Sequence, residues 1–188
     1  MIKYPNPSIN TKTFKVTKTK THGMLFENEL NLSNEYYRIH NKALIYKKPT
    51  PIQIVKVDYP ARSKARIVEG YYKTPSTTDY NGIYRGKYID YEAKETNNLS
   101  FSFKHIFKHQ VDHLTKVDEH GGIAFVIIYF KKVEEVYIID IKKFNKFYNS
   151  TEIKSIKLSE IDAIGNKVKL GYAPLIDYLK TIDEIYFK

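Results

Sequence analysis

Ser76-Thr77-Thr78-Asp79-Tyr80-Asn81-Gly82-Ile83-Tyr84-Arg85-Gly86-Lys87-Tyr88-Ile89-Asp90-Tyr91-Glu92-Ala93-Lys94 places an acid at the start of one strand-like run and a Glu-x-Lys near the end of the next. Tyr80, Ile83 and Tyr84 before an Arg-Gly turn, and Tyr88, Ile89 and Tyr91 after it, are strand formers around a turn signal, so the stretch predicts a β-hairpin. Side chains two apart on a strand share a face, which groups Glu92 with Lys94. Asp79 and Glu92, brought together by the hairpin, could converge on one divalent cation. Two carboxylates and an ammonium in that arrangement suit metal-assisted phosphodiester hydrolysis.

The tripeptide alone decides nothing. With 21 acids and 27 lysines in 188 residues, about three acid-x-Lys matches arise by chance. Three occur: Glu92-Ala93-Lys94, Asp140-Ile141-Lys142 and Glu152-Ile153-Lys154. Between Asp140 and Glu152 the apolar residues Ile141, Phe144, Phe147 and Tyr148 follow a helical period, which sets those two acids at opposite ends of a helix. Only the hairpin match has a scaffold on which its acids can meet.

Outward from the hairpin, 188 residues at 42% hydrophobic suit one ordinary domain. Zero cysteines exclude a disulfide framework, a thiol nucleophile and Cys-based zinc binding. No apolar run of about 18 residues and no signal-peptide core follows Met1, so the expectation is a cytoplasmic protein without a membrane partner. The net charge of +10 points to a polyanionic partner. That charge is uneven. Residues 1–22 hold five lysines and no acid, and residues 42–73 hold eight basic residues against two acids, whereas residues 131–188 hold 11 against nine.

Residues 1–22, with Pro5, Pro7 and a Thr-Lys run, read as a flexible basic N-terminal arm, and residues 23–188 as a single domain. Gly23 to Ile39 reads as an amphipathic helix that loosens near Ser33-Asn34, and Ala43 to Tyr46 as the first strand. Ile52–Val57 and Ala65–Val68, bounded by prolines and studded with Lys56, Arg62, Lys64 and Arg66, predict a protruding hairpin over about 49–73. Further helices are expected from Phe103 to His120 and from Pro174 to Ile185, and strands at Ile123–Phe130 and Val133–Ile139. The sum is a mixed α/β domain.

Around the two carboxylates stand several candidate partners. Thr77 would turn its hydroxyl to the same side as Asp79, although it also suits an ordinary turn. Gln110 falls on the helix stripe facing the sheet, where it either completes a metal or water shell or makes a core hydrogen bond. Glu27 is a possible additional acid. His105, His109 and His113 recur every fourth residue, a spacing that imitates a zinc face, but with no matching Cys or acid they read as exposed side chains beside phosphates.

With Gly23-Met24-Leu25-Phe26-Glu27, Lys47-Lys48-Pro49-Thr50-Pro51-Ile52-Gln53-Ile54-Val55-Lys56-Val57, Pro75 to Gly82 and Tyr91-Glu92-Ala93-Lys94-Glu95-Thr96, the chain resembles the RecU family of Holliday junction resolvases in the PD-(D/E)xK nuclease superfamily. The resemblance implies a restriction-endonuclease-like mixed β-sheet core flanked by helices, with the 49–73 hairpin as a stalk entering the junction centre. It implies a homodimer that nicks opposed strands of four-way junction DNA in recombination and repair, using Mg²⁺ or a substituting Mn²⁺. Branch-migration and recombinase proteins would be its partners. Thr77, Asp79, Glu92 and Gln110 would bind the metal and Lys94 would stabilise the transition state. His22 departs from the family's usual Arg, and the Lys94–Gln110 interval is one residue short. The rival readings are a restriction-type nuclease cutting duplex DNA and a non-catalytic DNA-binding module.

Overall fold

The computed structural model describes residues 24–73 and 77–187. In chain order the elements are α1 (Met24–Ile39), β1 (Leu44–Lys47), β2 (Ile52–Asp58), β3 (Arg66–Tyr72), β4 (Tyr80–Tyr84), β5 (Lys87–Thr96), β6 (Ser100–Ser102), α2 (Lys108–Glu119), β7 (Ile123–Phe130), β8 (Glu135–Asp140), α3 (Ile141–Tyr148), β9 (Ser155–Lys157), α4 (Leu158–Ile164), β10 (Asn166–Val168) and α5 (Tyr178–Tyr186). The expected N-terminal arm lies outside the described residues.

The hairpin is the centre of the architecture. Arg85 and Gly86 both take positive φ, 47° and 76°, and two such residues in succession make the tight turn whose twist matches antiparallel strands. β4 and β5 then pair from Tyr84↔Lys87 to Tyr80↔Tyr91. β5 is ten residues long in all and pairs in parallel with β7 along its other edge, a connection that needs a crossover, which α2 supplies. The full sheet runs β1-β4-β5-β7-β8-β10, with one parallel pair among antiparallel ones.

Alternation along β5 and β7 divides the core into two layers. Ile89, Tyr91, Ile123, Phe125 and Ile127 face a cluster with Phe26, Leu30 and Tyr37 of α1 and Tyr178, Leu179 and Ile182 of α5. Ala124, Val126 and Ile128 face a second cluster with Val111 and Leu114 of α2, Phe144 of α3 and Ile161 of α4. On the first face Tyr80, Tyr91 and Phe125, adjacent across three strands, stack at 4.8 Å between ring centroids. This ladder locks the register of β5 against both neighbours.

Helix α1 does not loosen at Ser33-Asn34. The Ser33 hydroxyl donates to the Glu29 carbonyl and accepts from Ile176 N–H at 3.0 Å, while Asn34 donates to Tyr91 Oη at 3.0 Å and accepts from Tyr178. Both polar residues are buried anchors between α1 and the C-terminal segment. The expected helix from Phe103 is also corrected. A short 3-10 turn covers Phe103–His105, and α2 begins at Lys108 because Gln110 Oε1 accepts the Phe107 N–H at 2.9 Å and caps the start. The last helix starts at Tyr178 rather than Pro174.

β2 and β3 form a separate two-stranded ribbon with bulges around Lys56, and both of its faces are exposed. Its strands leave the body side by side, where Lys73 N–H donates to the Pro51 carbonyl at 3.0 Å. Arg62 and Lys64 belong to the turn at its tip.

Gly82 sits where β4 crosses β1 too closely for a side chain: a Cβ there would lie 2.0 Å from the Leu44 carbonyl oxygen and 2.7 Å from Ile45 Cα. Gly82→Ala is therefore expected to destabilise the domain by on the order of 3 kcal/mol. The check is a lower urea midpoint with unchanged m-value.

Candidate active site

The face of β5 opposite the aromatic ladder carries Tyr88, Asp90, Glu92 and Lys94 in succession, every second residue. α2 crosses this row, so that Gln110 meets Glu92 and His113, one turn later, meets Asp90. Two fully buried carboxylates thus lie two residues apart under one helix.

Their surroundings differ. Asp90 has donors on both oxygens: Oδ1 accepts from the Thr78 hydroxyl, and Oδ2 accepts from Lys48 Nζ at 2.8 Å, Tyr88 Oη at 2.7 Å and His113 Nε2 at 3.1 Å. Glu92 has donors on one oxygen only, where Gln110 Nε2 and Lys94 Nζ each approach Oε1 to 2.6 Å. Its Oε2 is buried with no hydrogen-bond partner. Burial and then the nearby negative charge of Asp79 push the Glu92 carboxyl up to about 8, against the pull of Lys94. Asp79, half-buried just before β4, is fixed by the Ala93 N–H, which donates to its Oδ2 at 3.0 Å.

An orphaned carboxylate oxygen beside a second carboxylate is an environment that a hard cation satisfies, since it takes oxygen donors and removes the mutual repulsion. The donor set of Asp79 and Glu92 therefore fits a divalent metal. Among the described residues no three His, Cys, Asp or Glu side chains gather as a ligand set, so neutral oxygens would have to complete it.

The family model of RecU, Recombination protein U, matches residues 21–184. The chain is 49% identical to the Holliday junction resolvase RecU of Bacillus cereus over 99% of its own length and 98% of the relative's, and 48% identical to that of Shouchella clausii over 99% and 95%. The chain belongs to the RecU family. A solved structure of Hjc, a Holliday junction resolvase from Archaeoglobus fulgidus, is similar at a TM-score of 0.45 and 16% identity, covering 75% of this chain and 93% of that one.

Asp79, Glu92, Lys94 and Gln110 come together. Gln110 turns its amide nitrogen to Glu92 and its oxygen to the helix cap, as its hydrogen bonds require. Thr77 joins through Lys48, whose Nζ donates to Thr77 Oγ1 at 3.1 Å. Glu27 forms an exposed ion pair with Lys47 and shares no hydrogen bond with Asp79 or Glu92 among the described residues. On the ribbon, Lys56 and Lys64 are exposed, and Arg66 is exposed but held by Asp58 at 2.9 Å. The three histidines do not form one exposed stripe, because His105 precedes α2 and His113 is turned onto Asp90.

Sequence reasoning missed Asp90 and Lys48. Asp90 lies two residues before Glu92, so strand alternation puts it on the same face, and that signal was available. Lys48 could not be distinguished from the lysines around it.

The raised Glu92 carboxyl predicts a pH signature. In protein freed of metal by chelation, the folded state holds a proton that the unfolded chain releases near 4.5, so stability is full below that pH and falls as pH rises toward 8. The fall is on the order of a few kcal/mol. Glu92→Gln should flatten it, as read from thermal melts between those pH values.

Proposed function

We propose that this chain is a structure-selective endodeoxyribonuclease that resolves four-way DNA junctions by nicking opposed strands, in recombination and repair. The observation that carries the reading is the unpartnered buried oxygen of Glu92 beside Asp79, with Lys94 on its other oxygen. The name borne by its relatives, Holliday junction resolvase, supplies the substrate class.

Asp79 and Glu92 would hold Mg²⁺, or Mn²⁺ in its place, with Thr77 as a neutral oxygen donor, whereas Gln110, whose oxygen is taken by the helix cap, would act on the site through its amide nitrogen on Glu92 rather than as a ligand. When bound, the cation supplies charge stabilisation at the phosphoryl group and acidifies water. The protein's own part is positional and electrostatic. Gln110 and Lys94 orient Glu92 from one side, leaving its second oxygen directed to the metal. Lys94, partly exposed at the rim, offers an ammonium to the charge that develops on the scissile phosphate. Burial under α2 lowers the local dielectric and strengthens each of these interactions.

Substrate selection is assigned to the ribbon as a stalk on a single nuclease domain of residues 23–188. Lys56, Arg62, Lys64 and Arg66 would contact phosphates of several arms at the open centre of a junction, a geometry that linear duplex lacks. A twofold dimer would present two such sites for paired incision. Recombinase and branch-migration proteins are the fitting partners. Among the described residues no helix is long and apolar enough to cross a membrane.

The test is a mobile four-way junction and a linear duplex of the same sequence, each incubated with Mg²⁺ or with EDTA. Paired nicks confined to the junction and to Mg²⁺ are expected. Equal cutting of duplex would indicate a restriction-type enzyme, and binding without Mg²⁺-dependent cleavage a non-catalytic module. Asp79→Ala and Glu92→Ala should abolish cleavage, and Lys94→Ala should slow it by roughly 10²- to 10³-fold, all with junction binding retained in a gel-shift assay. Gln110→Ala should lose only about 10- to 100-fold.

The ribbon makes a separate prediction. Replacing Arg62, Lys64 and Arg66 together by Ala should weaken junction binding more than duplex binding and reduce the salt slope by about one for each residue that contacts a phosphate. Equal losses on both substrates would assign selectivity elsewhere.

A further inference from the structure

Lys48 and Asp90 lie just outside the donor set described above, and neither is explained by core packing. Lys48 follows β1, at the point where the chain turns into the ribbon, and its side chain is mostly buried. An ammonium has three protons. In Lys48 all three are committed, to Thr77 Oγ1, Thr78 Oγ1 and Asp90 Oδ2. Its backbone N–H also donates to the Asp79 carbonyl at 2.7 Å. The segment that returns from the ribbon, Thr77-Thr78-Asp79, is thereby tied at each residue to Lys48. Asp90 receives the same lysine and the Thr78 hydroxyl from β5, two residues from Glu92.

We propose that Lys48 and Asp90 form a buried clamp that positions Thr77 and Asp79 against Glu92, making both of them positioning residues of the catalytic centre. The inference rests on the metal-site reading above. Asp90 is less suited to ligation than Glu92, because both of its oxygens already accept hydrogen bonds, three donors on Oδ2 and the Thr78 hydroxyl on Oδ1. Lys48 differs from Lys47 and Lys73, which line the same cleft of about 360 Å³ beside Asp79, in having no proton left for a phosphate. The clamp also closes the root of the ribbon, since both strands of the ribbon connect to the body through residues it holds.

Lys48→Met keeps the aliphatic stem and removes the ammonium. Calorimetric titration with Mg²⁺ in the absence of DNA should show about 10- to 100-fold weaker binding than wild type, and kcat for junction cleavage should fall by a similar factor. Junction affinity in EDTA should stay within about twofold, with an unchanged salt slope. Because the two residues act as one unit, Lys48→Met with Asp90→Asn should be no worse than Lys48→Met alone. Unchanged Mg²⁺ affinity with weaker junction binding and a shallower salt slope would make Lys48 a phosphate contact and overturn the clamp. So would additive losses in the double variant. Should Lys48→Met fail to fold, Thr78→Val removes only the bridging hydroxyl; the same loss of Mg²⁺ affinity supports the clamp and wild-type affinity overturns it. Wild-type protein that binds no Mg²⁺ would overturn the proposed function together with this inference, whereas a variant matching wild type in Mg²⁺ affinity and kcat overturns this inference alone.

Discussion

Two carboxylates on adjacent same-face positions of β5 are stripped of water, and much of the domain is organised around neutralising them. Removing an ionised carboxylate from water costs several kcal/mol even after the protein relaxes, so each must be matched by donors or by opposite charge. Asp90 is matched entirely from within the chain, by Lys48, Thr78, Tyr88 and His113. Glu92 is matched on one oxygen only. The same strand, face and helix cover thus leave one carboxylate hydrogen-bonded on both oxygens and the other with a buried oxygen that no donor reaches.

The remaining architecture serves the precision of that row. A strand that carries four polar residues on one face needs its other face to fix it, and the Tyr80-Tyr91-Phe125 stack does so across three strands. The parallel pairing of β5 with β7 obliges the chain to cross over, and the crossover helix α2 is the element that brings Gln110 and His113 down onto the carboxylates. Gln110 serves both levels, capping α2 with its oxygen and holding Glu92 with its nitrogen.

Between the body and the ribbon the chain passes twice through the same place. It leaves through Lys48 and returns through Thr77 to Asp79, so the residues that join the ribbon to the sheet are also those beside the Asp79 carboxylate. Basic residues are concentrated along this path while the C-terminal third is nearly balanced, which sets the field around the site rather than around the whole molecule.

Local sequence determined the hairpin, its Arg-Gly turn, the grouping of Glu92 with Lys94 and the exposed ribbon, because each follows from residue spacing and turn chemistry within about 20 residues. It also separated the Glu92 match from the helical Asp140–Glu152 imitation. It misread Ser33-Asn34 as a weak point in α1, since polar residues in a helix are anchors only when distant partners such as Tyr91, Ile176 and Tyr178 are known. It likewise extended α2 back through Phe107, where a cap from Gln110 overrides the apolar period. Which carboxylate is satisfied and which is left open was decided by tertiary structure alone. Hydrogen bonding to each carboxylate depends on groups brought in from Lys48 after β1, the 77–79 segment and α2, and no periodicity along the chain encodes that convergence.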